Sequence, residues 1–363
     1  MTPLHARLVR LIEAAGPLSV ADYMAHCLFD PEHGYYTTRE PFGVAGDFTT
    51  APEISQMFGE LVAIWTAGAW RATGAPAPFA LVEIGPGRGT LMKDMLRALS
   101  RVAADMLAAA RVHLVETSPR LMDIQKRTLA ESPAEPIWLT DVDRLPEVPL
   151  VIVGNELFDA VPQRQYVKTR QGWRERMVGL DGEGALCFAA GAGGIAPELL
   201  PPEAEAAPEG AIIEFAPARN ALMARIAARI ATHGGAGLFI DYGYFGPALG
   251  DTLQALRRHV FDDVLAHPGE ADLTSHVDFA ALARAAQAEG LATRSQEQGA
   301  FLLGMGLLER AGALGAKADA ATRQRLQGEV DRLARPEGMG SLFKALMMAR
   351  PGVSLPPAGG MAD

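Results

Sequence analysis

The densest chemistry in the sequence lies between Ala80 and Thr90, which reads A-L-V-E-I-G-P-G-R-G-T. Gly85, Gly87 and Gly89 stand at alternate positions directly after an apolar run, and Thr90 opens a helical pattern. Glycine lets the backbone turn sharply, and its missing side chain lets a ligand lie against the peptide groups. Free N–H groups at the start of a helix favour a carboxylate or phosphate there. Pro86 stiffens the turn, and Thr90 occupies the position where a dinucleotide loop has its third glycine. A glycine-rich turn that holds no ligand is the competing explanation.

Acids gather at the ends of the neighbouring apolar runs. Glu116 closes Leu114-Val115-Glu116, beside the glycine loop of a doubly wound sheet, where it can accept both hydroxyls of a ribose; a solvated charge before Pro119 is the plainer alternative. Glu83, two residues before Gly85, falls inside a buried strand and needs compensation there, so it is expected to brace the loop. Asp141, after Trp138-Leu139-Thr140, can meet an adenine amino group or cap a helix. Asn155, Glu156 and Asp159 follow the apolar run Leu150 to Gly154, in the crevice position where open α/β sheets bind ligands. Glu156 and Asp159 are candidates to flank a cationic acceptor, with Asn155 orienting it, or else they cap the next turn.

Other residues carry weaker signals. Asp47, Thr49, Thr50 and Glu53, with Pro52 at a helix start, fit a capping box or a lid over the crevice. Tyr35 and Tyr36 fit an acceptor channel or core packing, and Asp241 with Tyr242 fit an acceptor contact or their own turn. His276 reads as a base or as a cap. His259 and His267 show no ligand geometry, and Cys27 and Cys187 stand apart without metal spacing, so no metal is assigned.

These side chains need rigid elements to position them. Short apolar strands at Ala80 to Ile84, Arg111 to Glu116, Pro136 to Leu139, Leu150 to Gly154 and Gly237 to Asp241 alternate with helical segments, the pattern of a parallel sheet with crossover helices. Tyr166 to Ala189 reads as a β-meander inserted between the fourth and fifth strands, and Pro197 to Gly210 as a surface loop. Leu342 to Ala349 reads as a strand returning to the sheet. The expected division is an N-terminal helical cap or lid over 1–75 and a core over 76–265, with the meander at about 164–210. A helical insertion over 266–340, a final core strand over 341–352 and a flexible tail over 353–363 complete it.

At 363 residues the chain has ample length for a buried core, and 49% hydrophobic with 21% charged residues is a globular composition. Its net charge of −10 argues against nucleic acid as the partner. No apolar run approaches the roughly 18 residues of a membrane span, and no secretory or organelle-targeting pattern opens the sequence, so a bacterial cytoplasmic location without membrane insertion is expected. The helical faces of the two ends fit packing against the core or against a second copy in a homodimer.

Several longer strings carry a resemblance. P-E-H-G-Y-Y at Pro31 to Tyr36, G-D-F-T-T-A-P-E-I-S-Q-M-F-G-E at Gly46 to Glu60, E-I-G-P-G-R-G-T at Glu83 to Thr90 and N-E-L-F-D-A-V-P at Asn155 to Pro162 are among them. I-D-Y-G-Y, D-T-L-Q-A and A-D-L-T-S-H-V-D-F follow in the same order, beginning at Ile240, Asp251 and Ala271. Together they resemble the MidA-like S-adenosylmethionine-dependent methyltransferases, whose mitochondrial members are assembly factors for respiratory complex I. The resemblance implies an α/β class I methyltransferase fold, a Rossmann-like seven-stranded sheet with an antiparallel last strand and added helical regions. It implies S-adenosyl-L-methionine as cofactor, held by Glu83, Gly85, Pro86, Gly87, Gly89, Thr90, Glu116, Asp141 and Asn155. It further implies methylation of arginine in a protein substrate such as a complex I subunit, with Asn155, Glu156 and Asp159 as the catalytic candidates. A non-catalytic donor-binding assembly factor is the alternative, and an NAD-dependent dehydrogenase the more distant one.

Overall fold

Apolar runs too continuous to have a solvent face become the centre of one large sheet. The computed structural model describes residues 2–38 and 50–357, so Asp47, Thr49 and the end of the tail lie outside the described residues. The chain forms two compact units: Met1–Phe48, Phe158–Ala221 and Tyr244–Asp278 make the first, and Thr49–Leu157, Leu222–Gly243 and Phe279–Asp363 the second.

The second unit holds the large sheet. Its strands are β1 (Phe79–Ile84), β2 (Ala110–Val115), β3 (Ile137–Leu139), β4 (Leu150–Asn155), β5 (Gly235–Tyr244), β6 (Ala292–Glu297) and β7 (Phe343–Ala349), in the order β3-β2-β1-β4-β5-β7-β6. The first five are parallel. β7 runs antiparallel between β5 and β6. The order reverses between β1 and β4, so the carboxyl ends of these strands flank the crevice where such sheets take ligands. All of β1, including Glu83, is buried, as a parallel strand covered on both faces requires. The helix Thr90–Val102 buries Leu91, Met92, Met95, Leu96 and Leu99 on one face, each worth about 1.5–3 kcal/mol when fully buried.

The first unit holds the meander: Arg164–Thr169, Gly172–Leu180 and Leu186–Gly194 form an antiparallel sheet with Leu18–Ser19 and Ile212–Phe215. Its core joins Leu4, Leu8, Tyr23, Met24 and Tyr35 to Val178 and Leu273. A three-stranded sheet, Gln254–Arg257, Val260–Asp262 and Asp272–Thr274, completes the unit.

Two expected boundaries change. The 1–75 cap is divided, because Leu18–Ser19 pairs with Gly172–Leu180 while Gln56–Ala72 buries Phe58, Leu61, Trp65 and Trp70 in the core of the second unit. The 266–340 insertion is not purely helical: Ala292–Glu297 pairs with β7 throughout. A-T-R-S-Q-E gives little apolar alternation because β6 is the sheet's edge, with burial concentrated in Ala292 and Thr293.

Candidate functional site

The glycine loop leaves β1 with Gly85, Gly87 and Gly89 all at positive φ, +67°, +52° and +82°. A side chain at any of the three is strained. Gly85 N–H donates to the Val115 carbonyl at 3.0 Å, and Gly89 N–H to the Pro86 carbonyl at 2.7 Å, which closes the turn. Gly89 caps the helix without a side chain, so the first helical N–H groups gain no side-chain acceptor from it. Thr90 Oγ1 instead donates outward to Glu53 Oε1 at 2.5 Å.

Glu116 lies at the end of β2, buried, with a fixed carboxylate. Oε1 accepts from Thr117 N–H and Ser118 N–H, both at 2.8 Å, and Oε2 accepts from Gln125 Nε2 at 3.0 Å. Burial raises its carboxyl pKa, and these three donors oppose that shift. Gln125 also donates to the Gly87 carbonyl at 2.8 Å and accepts from Trp138 Nε1 at 2.9 Å. One fully buried amide thus ties the loop, the acid and the third strand together. Sequence reasoning missed Gln125; its signal was a polar residue four positions after Leu121 and four before Leu129, both buried on that face.

Glu83 is buried at the root of the loop, and its Oε2 has no hydrogen-bond partner among the described residues. Burial raises its carboxyl to about 8; the Met92 amide pulls it down and Glu116 pushes it up. The folded chain therefore binds a proton there that the unfolded chain, at the ordinary 4.5, releases. Its contribution to stability is greatest at acid pH and is lost as pH rises through this window. Glu83→Gln fixes the neutral form, so melting temperatures from pH 5 to 9 should show the variant gaining on the parent as pH rises. An offset constant with pH would mean that Glu83 is ionised in the folded chain.

At the end of β4, Glu156 sits at φ +49°, a left-handed conformation that costs a non-glycine residue energy and persists where the surroundings enforce it. Its N–H donates to the Ile240 carbonyl at 2.8 Å. Its Oε1 accepts from Asn155 Nδ2 at 3.0 Å and from Ala51 N–H at 3.3 Å. Asn155 Oδ1 is buried with no partner among the described residues. Gly154, just before, accommodates the Phe239 ring: a Cβ there would lie 2.8 Å from it. The short helix Ala51–Ile54 therefore touches both functional loops, through Ala51 at Glu156 and Glu53 at Thr90.

Other candidates have partners of their own. Asp141 takes the capping alternative: it accepts from Asp143 N–H at 2.8 Å and pairs with Arg225, which hold its carboxyl below the usual range. Asp159, expected to flank an acceptor with Glu156, belongs to the first unit. It is buried there, its carbonyl accepts from Arg219 Nη2 at 3.0 Å, and its charge adds to the upward shift of the Tyr36 hydroxyl, which is caused first by burial. Tyr35 and Tyr36 meet edge to face at 5.3 Å, and Tyr36 donates to Asp272 at 3.1 Å. His276 is engaged through its backbone, with N–H to Thr252 and carbonyl to Arg219. Asp241 accepts from the N–H of Tyr242 at 3.0 Å, the turn explanation. Among the described residues, no group of three His, Cys, Asp or Glu side chains could hold a metal, and no helix is long and apolar enough to cross a membrane.

The model of the family described as "Putative S-adenosyl-L-methionine-dependent methyltransferase" matches residues 61–296. The chain is 38% identical to the Mus musculus protein arginine methyltransferase NDUFAF7, mitochondrial, over 94% of this chain and 83% of that one. The Homo sapiens protein of the same name is 37% identical over 94% and 82%. A crystal structure from Burkholderia thailandensis, bound to S-adenosyl-homocysteine, superposes with a TM-score of 0.83 at 30% identity, covering 99% of this chain and 93% of that one.

Proposed function

This chain belongs to the S-adenosyl-L-methionine-dependent methyltransferase family, and from that premise we propose that it methylates arginine in a protein substrate, using the carboxyl ends of β1, β2 and β4. The residues present fit the donor. Three glycines at positive φ bring no side chain of their own to the loop, and Asn155 Oδ1, a buried acceptor, and Glu83 Oε2, a buried carboxyl oxygen, have no partners among the described residues. A ligand with hydrogen-bonding groups satisfies such atoms.

When bound, S-adenosyl-L-methionine supplies a methyl group already activated on a sulfonium. The chain's own task is to fix the donor, align the acceptor and exclude water. The Gly85–Thr90 peptides hold the methionine end, braced by Glu83, and Glu116 accepts the ribose hydroxyls. Because Asp141 is engaged by its cap and by Arg225, the donor contacts assigned here are those of the loop, Glu83, Glu116 and Asn155. At the acceptor, a protonated guanidinium must approach a cation, so a carboxylate has to offset the repulsion. Glu156 supplies it, oriented by Asn155 and Ala51, and takes the proton that the methylated nitrogen releases.

The observation that carries this reading is Glu156 itself, an acid held left-handed beside an amide oxygen without a partner among the described residues, at the sheet's ligand-binding end. The support for arginine as acceptor is the name of the relatives. The test is transfer of radiolabelled methyl from S-adenosyl-L-methionine, first to isolated complex I subunits and then to whole lysate, followed by acid hydrolysis. Label in methylarginine is the expected result. Donor binding with no label in any protein would leave the non-catalytic reading, and label in another amino acid would change the acceptor.

A further inference from the structure

We propose that Glu329, on the helix Ala320–Ala334, is a positioning residue for Glu156 and acts on it through Ser55 and the short helix Ala51–Ile54. The inference rests on the acceptor role given to Glu156 above. All of these residues belong to the second unit.

A helix of four residues does not hold itself, because its few hydrogen bonds do not repay the residues they fix. Thr50, its N-cap, makes no side-chain capping bond. The helix is therefore placed by what it touches. Ala51 and Pro52 are buried, Ala51 N–H donates to Glu156 Oε1, and Glu53 Oε1 accepts from Thr90 Oγ1. At its far end Ser55 is extended, with φ −155° and ψ 135°, which interrupts helical geometry before the long helix Gln56–Ala72. One residue thus sets the angle at which the short helix leaves the long one.

That hinge is held from outside both helices. Ser55 is buried; its hydroxyl accepts from Met57 N–H at 3.2 Å and spends its single proton on Glu329 Oε2 at 2.6 Å, across 274 positions of sequence. A hydrogen bond to a carboxylate is among the stronger ones, and it fixes the hydroxyl's direction. Ser55 N–H donates to the Ala51 carbonyl at 3.4 Å, so the residue that meets Glu156 is bonded directly to the hinge. Both supports are themselves anchored. The long helix is tied at Glu60, whose carboxylate takes the Arg310 guanidinium through two bonds of 2.7 and 3.0 Å. The helix bearing Glu329 buries Leu326, Val330 and Leu333 in the same core as Phe58, Leu61 and Trp65. Arg325, more than half exposed, engages the other oxygen of Glu329.

The test compares Glu329→Leu, Glu329→Gln and Arg325→Ala in the full chain, with turnover read as single-turnover transfer of radiolabelled methyl from S-adenosyl-L-methionine to whole lysate. Glu329→Leu should lower turnover at saturating donor about tenfold, because a reacting group displaced by about 1 Å can lose a hundredfold and Glu156 keeps its Asn155 contact. Donor affinity should stay within about threefold, since the glycine loop is closed by its own backbone bonds. Glu329→Gln keeps an oxygen that can accept the Ser55 hydroxyl and should recover most of the turnover. Arg325→Ala removes an exposed ion pair, leaves the Ser55 bond and should behave as the parent. Hydrogen exchange read by mass spectrometry reports the hinge independently of activity: amides over 51–57 should exchange about tenfold faster in Glu329→Leu. Thermal melting checks the variants; should leucine disturb the helix, Glu329→Asp, one methylene shorter, gives the same split with a smaller loss. Unchanged exchange over 51–57, parent-like turnover in Glu329→Leu, or equal loss of donor affinity and turnover would each overturn the proposal. A loss in Glu329→Gln as large as in Glu329→Leu would overturn it as well. Failure of the acceptor reading has its own signature: Glu156→Gln would keep its turnover while Glu329→Leu still loosened 51–57, and the proposal would fall with its premise.

Discussion

Glu156→Gln should lower methyl transfer about a hundredfold or more while leaving affinity for S-adenosyl-L-methionine within about threefold, the size expected when one preorganised charge is removed from a reacting centre. The substitution isolates charge from shape. Glu156 Oε1 accepts from Asn155 Nδ2 and the Ala51 amide, and a glutamine carbonyl oxygen can accept from both, so the left-handed loop keeps its anchors. The ability to offset the guanidinium charge and to take its proton is lost. Calorimetric titration with the donor and single-turnover transfer at saturating donor measure the two quantities separately. Equal loss of binding and turnover would remove Glu156 from the acceptor side. Unchanged turnover would remove it from the chemistry altogether.

The parts of the fold that were legible are those where burial leaves no choice of residue. β1, β4 and β5 are apolar on both faces, so their runs stand out, and the glycines at 85, 87 and 89 were readable because the turn requires positive φ at each. β6 was not readable, since an edge strand with a solvent face can be built from A-T-R-S-Q-E as easily as a helix can. Nor was the change of unit between Glu156 and Asp159: the segment that carries the end of β4 stops at Leu157, and the segment that carries the meander starts at Phe158. Gln125 was invisible for another reason: its contacts reach Gly87 and Trp138, 38 and 13 positions away, and no local pattern encodes such a bridge.

Glu116→Gln should show the opposite kinetic signature, a loss of donor affinity of about tenfold to a hundredfold with turnover at saturating donor nearly kept. A charge-assisted hydrogen bond contributes about 1.5–3 kcal/mol, and about 1.4 kcal/mol is a factor of ten in affinity. The structure makes the amide costly in either orientation. With its NH₂ toward Thr117 and Ser118, two backbone donors face a donor; with its NH₂ toward Gln125, two side-chain amides do. In the second case Gln125 also releases its hold on the Gly87 carbonyl, so the glycine loop loosens along with the ribose contact. Because the ribose does not react, the lost interaction is shared by ground and transition states and appears in KM for the donor. Gln125→Leu tests the bridge alone, leaving the Glu116 charge in place, and should give a smaller loss of the same kind. Retention of full donor affinity in Glu116→Gln would mean that the cradle at the end of β2 does not hold the ribose. The assignment of Glu156 to the acceptor, which is drawn from its place beside that cradle, would then fail with it.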